Sequence, residues 1–135
     1  MYHVARLILN EAKIEVNIGN TYNRKEDYRN AEKHWNNALQ RNRSIGNLDQ
    51  EAKILLNFGI FYYNEANFDK ALDHYKRVYD IFSSLGNRNG QGLVLSNLGE
   101  TYLTSCEYQN SFESLNKAKE TFNQLQDVEE EAEVS

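Results

Sequence analysis

A forty-residue internal repeat constrains the fold of this chain more than any other feature of its sequence. Residues 11–50 and 51–90 agree at 12 of 40 positions without a gap, and residues 91–130 keep the same apolar framework. Self-similarity at such a period is typical of an array in which each unit packs on its neighbours. The positions that recur most clearly are an asparagine, the glycine two residues later and the tyrosine three after that: Asn17, Gly19, Tyr22; Asn57, Gly59, Tyr62; Asn97, Gly99, Tyr102.

Each unit has the apolar spacing of two helices. In the second unit, apolar residues recur at helical intervals from Ile54 to Tyr62 and again from Phe68 to Phe82. This pattern predicts helix A over about residues 49–65 and helix B over about residues 68–85. Gly-Asn pairs follow helix B in the first and second repeats. In the third repeat Gln126-Asp127 follows it and predicts a weaker end to the helix.

The glycines within helix A need a structural reason. Glycine in a helix interior costs about 1 kcal/mol relative to alanine, and here that cost recurs at Gly19, Gly59 and Gly99. We expect close packing of helix B on each glycine. The small residues predicted to face them are Ala31, Ala71 and Ser111.

These motifs together resemble the tetratricopeptide repeat. The glycine–tyrosine motif continues with Ala31 and Trp35 in the first repeat and with Ala71 and Tyr75 in the second. The forty-residue length is similar to the branch found in kinesin light chains, spindle-orientation scaffolds and bacterial regulators. The resemblance implies an all-α fold, an α-α superhelix or solenoid of three repeats. Their expected bounds are residues 11–50, 51–90 and 91–130, with residues 1–10 extending the first helix and residues 131–135 beginning a truncated fourth helix A or forming an acidic tail.

Charge and composition limit the partners that we expect. Residues 126–135 contain five acids and no base, so the whole formal charge of −5 lies there and residues 1–125 are neutral. This balance disfavours a nucleic-acid partner. The sequence has no apolar run of about 20 residues that would span a bilayer, and one cysteine supports neither a disulfide framework nor a cysteine-based zinc site. We expect a cytoplasmic chain that binds neither nucleic acid nor membrane.

The sequence offers no catalytic constellation. His34 and His74 occupy one repeat position in successive units, which indicates a recurring polar surface site rather than a shared metal. Cys106 has no basic neighbour to activate its thiol. We therefore predict that the chain is not an enzyme, with no catalytic residue, cofactor or metal.

An asparagine ladder is the candidate binding feature. The resemblance places Asn17, Asn57 and Asn97 in the concave groove, where each amide could grip the backbone of an extended peptide. The alternatives are that these asparagines tie neighbouring repeats together, or that they merely reflect a chain rich in asparagine, with 18 in 135 residues. Helical spacing adds further groove candidates, which make the first half of the groove basic and its far end acidic: Lys13, Asn20, Arg24, Lys53, Ile60, Asn64 and Glu100.

Two functions remain open from the sequence. The first is a non-catalytic module that binds a partner peptide or helix in its groove, as a fragment of a larger regulatory or signalling protein. The second is a structural spacer or a dimerisation module that self-associates through its end helices, since neither end carries a convincing polar cap. Both predict a protein partner.

Overall fold

The computed structural model describes the backbone of residues 2–134 and the side chains of residues 3–127. The described backbone forms six helices and no strand, which confirms the predicted all-α class. The helices are α1 (Tyr2–Arg24), α2 (Tyr28–Ser44), α3 (Leu48–Asn64), α4 (Phe68–Ser84), α5 (Arg88–Thr104) and α6 (Tyr108–Val134). None of them is both long and apolar enough to cross a bilayer within the described part of the chain.

Two kinds of turn connect the helices. The turns after α2 and α4 contain Gly46 and Gly86, each with φ of +68°, as expected of the Gly-Asn pairs. The turns after α1, α3 and α5 also use the left-handed region, but without glycine. Their residues are Glu26, Ala66 and Cys106, with φ of 62°, 60° and 65°.

Polar caps begin several of the helices. The side chains of Asp27, Asn67 and Asn87 accept a hydrogen bond from the backbone N–H three residues later. Each bond satisfies one of the amides that a helix start leaves unpaired. Short capped turns of this kind allow successive helices to lie side by side.

The chain divides into two compact units that do not coincide with the three repeats, and the division falls between Phe58 and Gly59 within α3. In unit one, residues 1–58, α1 packs on α2, and Trp35 meets the edge of Phe58 at a centroid distance of 5.4 Å. Arg43 Nε donates to Glu51 Oε1 at 2.9 Å and joins α2 to α3. The apolar side chains buried in this unit are Ala12, Ala31, Trp35, Ala38, Leu39, Ala52, Ile54, Leu55 and Phe58.

Unit two, residues 59–135, contains the rest of α3 and helices α4 to α6. Helix α5 packs against both α4 and α6. The apolar side chains buried in unit two include Tyr75, Val78, Phe82, Val94, Leu98 and Ala118. Thr101 and Ser111 are buried polar residues whose hydroxyls donate to the carbonyls of Asn97 and Gly99, so neither is left unsatisfied.

The helix-A glycines make room for the large residue sixteen positions later. A methyl group at Gly19 would overlap the ring of Trp35, and one at Gly59 would lie 2.5 Å from Tyr75 Cε1. At Gly99 the overlap is with Leu115 Cδ2, at 2.5 Å. Close approach of helix B thus explains the repeated glycines as expected, but the side chains that require it are mainly these large ones.

Helix α6 is longer than the repeat pattern suggests. It continues through Gln126 and Asp127 to Val134, so this pair does not end a helix. The assignment of residues 131–135 to a fourth helix A or an acidic tail stays a prediction, as do the repeat bounds. The side chains of that segment lie outside the described residues.

Candidate functional site

A polar cavity opens in unit one between helices α1, α2 and α3. It has a volume of about 220 Å³ and is lined by three apolar residues, three amide residues and one lysine. Its lining residues are Leu9, Ala12, Lys13, Val16, Asn17, Asn42 and Gln50. Two of the predicted groove residues, Lys13 and Asn17, therefore lie on one wall of the same cavity.

Asn42 is the unusual member of this set. The residue is 2% exposed, and its Nδ2 donates to the Ala38 carbonyl at 3.0 Å. Its Oδ1 is buried and has no hydrogen-bond partner. A buried acceptor left unpaired costs about 1–3 kcal/mol, so Asn42 lowers the stability of this part of unit one.

The equivalent positions in unit two contain no amide. Phe82 and Gly90 stand forty residues after Asn42 and Gln50. Phe82 is buried, and a methyl group at Gly90 would lie 2.7 Å from Phe82 Cδ2. The aromatic ring and the bare glycine therefore pack directly against each other, whereas the first unit has two amide side chains beside a cavity.

The other predicted groove residues of unit one differ in their exposure and in the hydrogen bonds and ion pairs that their side chains make. Asn20 Oδ1 accepts from Trp35 Nε1 at 3.2 Å, so it anchors the core ring. Lys53 Nζ lies 3.1 Å from Asp49 Oδ2, which offsets part of its charge. Arg24 is exposed at the end of α1, and Asn57 is half-buried on α3.

In unit two, the predicted residues lie on α3 and α5. Ile60 and Asn64 are exposed, and Asn97 is half-buried. Glu100 Oε1 accepts from the Tyr63 hydroxyl at 3.4 Å. Glu100 also helps to raise the pKa of Tyr75 to about 12, after burial of the phenol, which is the larger cause.

The three ladder asparagines share one property. Within the described residues, no hydrogen bond engages the side-chain amide of Asn17, Asn57 or Asn97. The bonds at Asn17 and Asn97 use their backbone carbonyls, which accept from the hydroxyls of Thr21 and Thr101. Each ladder amide therefore retains two donors and an acceptor.

The histidines and the cysteine have local contacts. His34 Nδ1 lies 2.6 Å from Glu15 Oε2, and its ring stacks on Tyr22. His74 Nδ1 lies 2.8 Å from the carbonyl oxygen of Lys70. Cys106 is exposed in its turn. Among the described residues there is no group of three or more His, Cys, Asp or Glu side chains that could hold a metal ion.

Comparison with known proteins decides the family. A family model described as "Tetratricopeptide repeat" matches residues 10–84 and, in a second register, residues 50–124. The chain belongs to the tetratricopeptide repeat family. Proteins with this fold are in general protein–protein interaction modules and typically non-catalytic scaffolds. No curated protein matches the sequence significantly.

Solved structures confirm the tetratricopeptide superhelix as the fold. BtubC (BKLC) from P. vanneervenii is similar with a TM-score of 0.79 at 20% identity, over 85% of this chain and 48% of that one. The N-terminal domain of stress-induced protein-1 from C. elegans gives 0.73 at 14% identity, over 91% and 95%. Aspartyl phosphate phosphatase F from Bacillus subtilis gives 0.78 at 12% identity, over 87% and 31%. The chain thus spans about half the length of BtubC.

Asn42 and Gln50 were not among the residues predicted from the sequence. The signal was nonetheless visible, because Phe82 and Phe122 occupy the position of Asn42 in the second and third repeats. A polar residue at an otherwise aromatic core position is the departure that marks the cavity.

Proposed function

We propose that this tetratricopeptide chain is a non-catalytic module that binds an extended segment of a partner protein through the amides of its A helices. The observation that carries the proposal is the set of unengaged amides on Asn17, Asn57 and Asn97, which recur at one repeat position. An amide can donate to a peptide carbonyl while accepting from a peptide N–H. One asparagine in each repeat would then hold the partner's backbone without regard to its side chains.

Charge suggests which segments bind best. Lys13 and Arg24 contribute cations in unit one, and Glu100 contributes an acid in unit two. Because Lys53 is already paired with Asp49, it adds less. We expect a segment with acidic residues near one end, bound more weakly as salt rises. We place this role in the cytoplasm, within a larger regulatory or signalling protein.

Peptides selected by phage display on the immobilised chain provide the test. The best peptide is titrated calorimetrically against the wild type and against the combined Asn17→Ala, Asn57→Ala and Asn97→Ala variant. Loss of about 1 kcal/mol per hydrogen bond predicts a weakening of more than tenfold. Asn36→Ala, at an exposed position on α2, is the matched control and should bind like the wild type. Unchanged affinity in the triple variant would overturn the proposal.

Self-association is the second candidate, and a specific observation favours it. In unit two, Leu103, Tyr108 and Phe112 are 52%, 56% and 64% exposed. Exposed apolar groups of this kind mark contact surfaces when they adjoin. Sedimentation at increasing concentration distinguishes this role, because a dimer dispersed by Phe112→Ser supports it, whereas a monomer at all concentrations contradicts it.

A further inference from the structure

Among the described residues, no cationic side chain forms an ion pair with Glu100, which is exposed on α5 in unit two. We propose that Glu100 binds a cationic side chain, a lysine or an arginine, on the partner segment. This inference rests on the proposed function and specifies one residue of its ligand. It is carried by the Glu100 carboxylate and by the two hydroxyl groups beside it, those of Tyr63 and Thr104.

Three side chains from two helices meet at this place. The Tyr63 hydroxyl of α3 lies 3.4 Å from Glu100 Oε1 and 2.9 Å from Thr104 Oγ1 on α5. Glu100 and Thr104 are exposed and Tyr63 is half-buried, so a ligand in solvent reaches the cluster directly. A partner segment that passes over α5 can therefore contact the carboxylate without any opening of the fold.

The cluster has more hydrogen-bond acceptors than donors. Thr104 Oγ1 donates its only proton to the backbone carbonyl of Glu100 at 2.9 Å. The single Tyr63 proton is then shared between Thr104 Oγ1 and the more distant Glu100 Oε1. A carboxylate accepts at both oxygens and donates at neither. The group that satisfies this site therefore carries several N–H donors and a positive charge, as an ammonium or a guanidinium does.

The effect of Glu100 on a neighbouring phenol has the same sign. Burial first, and then the charges of Glu100 and Tyr63, raise the pKa of Tyr75 to about 12. A negative charge nearby disfavours the phenolate. The field at this place thus disfavours a second anion and favours a cation. An acidic side chain of the partner would therefore be repelled from Glu100.

Apolar neighbours suit the aliphatic stem of a cationic side chain. Ile60, one turn before Tyr63 on α3, is 41% exposed, and Leu93, two turns before Glu100 on α5, is 51% exposed. Helical spacing places Leu93 on the same face of α5 as Glu100. Lysine and arginine bury their methylene groups against apolar surface while their charged heads stay in contact with polar groups and water. The surface around the carboxylate therefore favours a long cationic side chain over a short polar one.

The combination of acid and phenol is confined to one place in the repeat array. Asn20 and Ile60 occupy the position of Glu100 in the first and second repeats, so neither supplies an acid. The first repeat also has Asn23 in place of Tyr63. A single cationic subsite fixes which residue of a bound segment lies over α5. It adds a sequence requirement to backbone contacts that would otherwise accept any side chain.

Small probes test the subsite without a partner. N-acetyl-arginine N-methylamide and its lysine analogue are titrated at neutral pH into the ¹³C,¹⁵N-labelled full chain, with the uncharged citrulline analogue as comparator. We expect the side-chain carboxyl carbon signal of Glu100 to shift with saturation for the cationic probes. The citrulline analogue should bind about tenfold more weakly. Added salt should weaken the binding of the cationic probes alone.

Two substitutions locate the binding. Glu100→Gln should weaken the cationic probes by about tenfold. Tyr63→Phe, which keeps the ring but removes one acceptor, should weaken them by about threefold. Glu120→Gln removes an exposed acid from α6 in the same unit and is the matched control, which should bind like the wild type.

Several outcomes would each overturn the inference. They are equal binding of the citrulline analogue, unchanged affinity in Glu100→Gln or Tyr63→Phe, an equal loss in Glu120→Gln, shifts confined to the acidic residues 126–135, and no saturable shift with any probe. If the subsite fails while the ladder substitutions still weaken a selected peptide, the proposed function stands without it.

Discussion

The packing of α2 on α3 in unit one and that of α4 on α5 in unit two use the same repeat positions with opposite results. In unit two, the buried ring of Phe82 packs onto the bare backbone of Gly90. In unit one, Asn42 and Gln50 stand there beside a cavity, and one amide oxygen has no partner. A repeat array can thus keep its framework while single positions exchange core packing for a polar recess.

The two arrangements should differ in their contribution to the free energy of unfolding. An aromatic side chain buried against a glycine contributes apolar burial and contact, whereas an unsatisfied buried amide subtracts about 1–3 kcal/mol. Unit one therefore forgoes stability that the same fold realises in unit two. Natural proteins accept such losses chiefly where a site needs the geometry.

Putting the unit-one residue into unit two gives the largest expected effect. Phe82→Asn removes a buried ring and leaves an amide in its place, so we expect a loss of about 3–5 kcal/mol in the free energy of unfolding. Urea denaturation followed by circular dichroism measures it. A loss below about 1 kcal/mol would mean that the ring contributes little and would break the comparison.

Substitution of Gly90, the glycine that packs on Phe82, gives the next largest expected change in stability. Gly90→Ala places a methyl group 2.7 Å from Phe82 Cδ2, so we expect a destabilisation of about 1–3 kcal/mol despite alanine's better helix propensity. Gln50→Ala at the matching position in unit one should change stability by no more than about 0.5 kcal/mol. Equal effects at the two positions would show that the units pack alike.

The stability of unit two should depend on alkaline pH at a second repeat position, where Tyr75 in unit two corresponds to Trp35 in unit one. Burial, then the charges of Glu100 and Tyr63, raise the pKa of Tyr75 from 10.0 to about 12. Because the folded pKa lies above the unfolded one, this stability is fully present below pH 10 and is lost as pH rises towards 12. Tyr75→Phe should therefore lose about 1.4 kcal/mol less than the wild type between neutral pH and about pH 11. Parallel alkaline profiles of the two proteins, measured by denaturation, would contradict this assignment.

Copying unit two into unit one gives the smallest expected effect, and its sign is the informative part. Asn42→Phe with Gln50→Gly removes the unpaired oxygen and fills space, offset by the helix cost of glycine, for a net gain of about 1 kcal/mol. The melting temperature measures it. A loss of stability would indicate that the cavity cannot accept the ring.

The repeat pattern predicted much of the fold because its signals are local and recur. Helical spacing, the Gly-Asn turns at Gly46 and Gly86 and the helix-A glycines each depend on a few neighbouring residues. The left-handed turns at Glu26 and Ala66 could not be predicted in this way, since these residue types do not favour that conformation. Their geometry is imposed by the packing of the two helices that they join.

The candidate site was only partly predictable. Periodicity selects Lys13 and Asn17 as neighbours on one helix face, and both line the cavity. Asn42 and Gln50 come from other helices, and only the packing of α1, α2 and α3 brings them to the same place. Likewise, the sequence does not reveal that Asn20 is engaged by Trp35 or Lys53 by Asp49.

The central claim is that the ladder amides hold the backbone of a partner segment. Its most direct test follows the side-chain amide protons of Asn17, Asn57 and Asn97 by NMR while a selected peptide is added. We predict that all three pairs of signals shift together with saturation and exchange more slowly with water in the complex. Shifts confined to other residues, with the three asparagine side chains unchanged at saturation, would contradict the account.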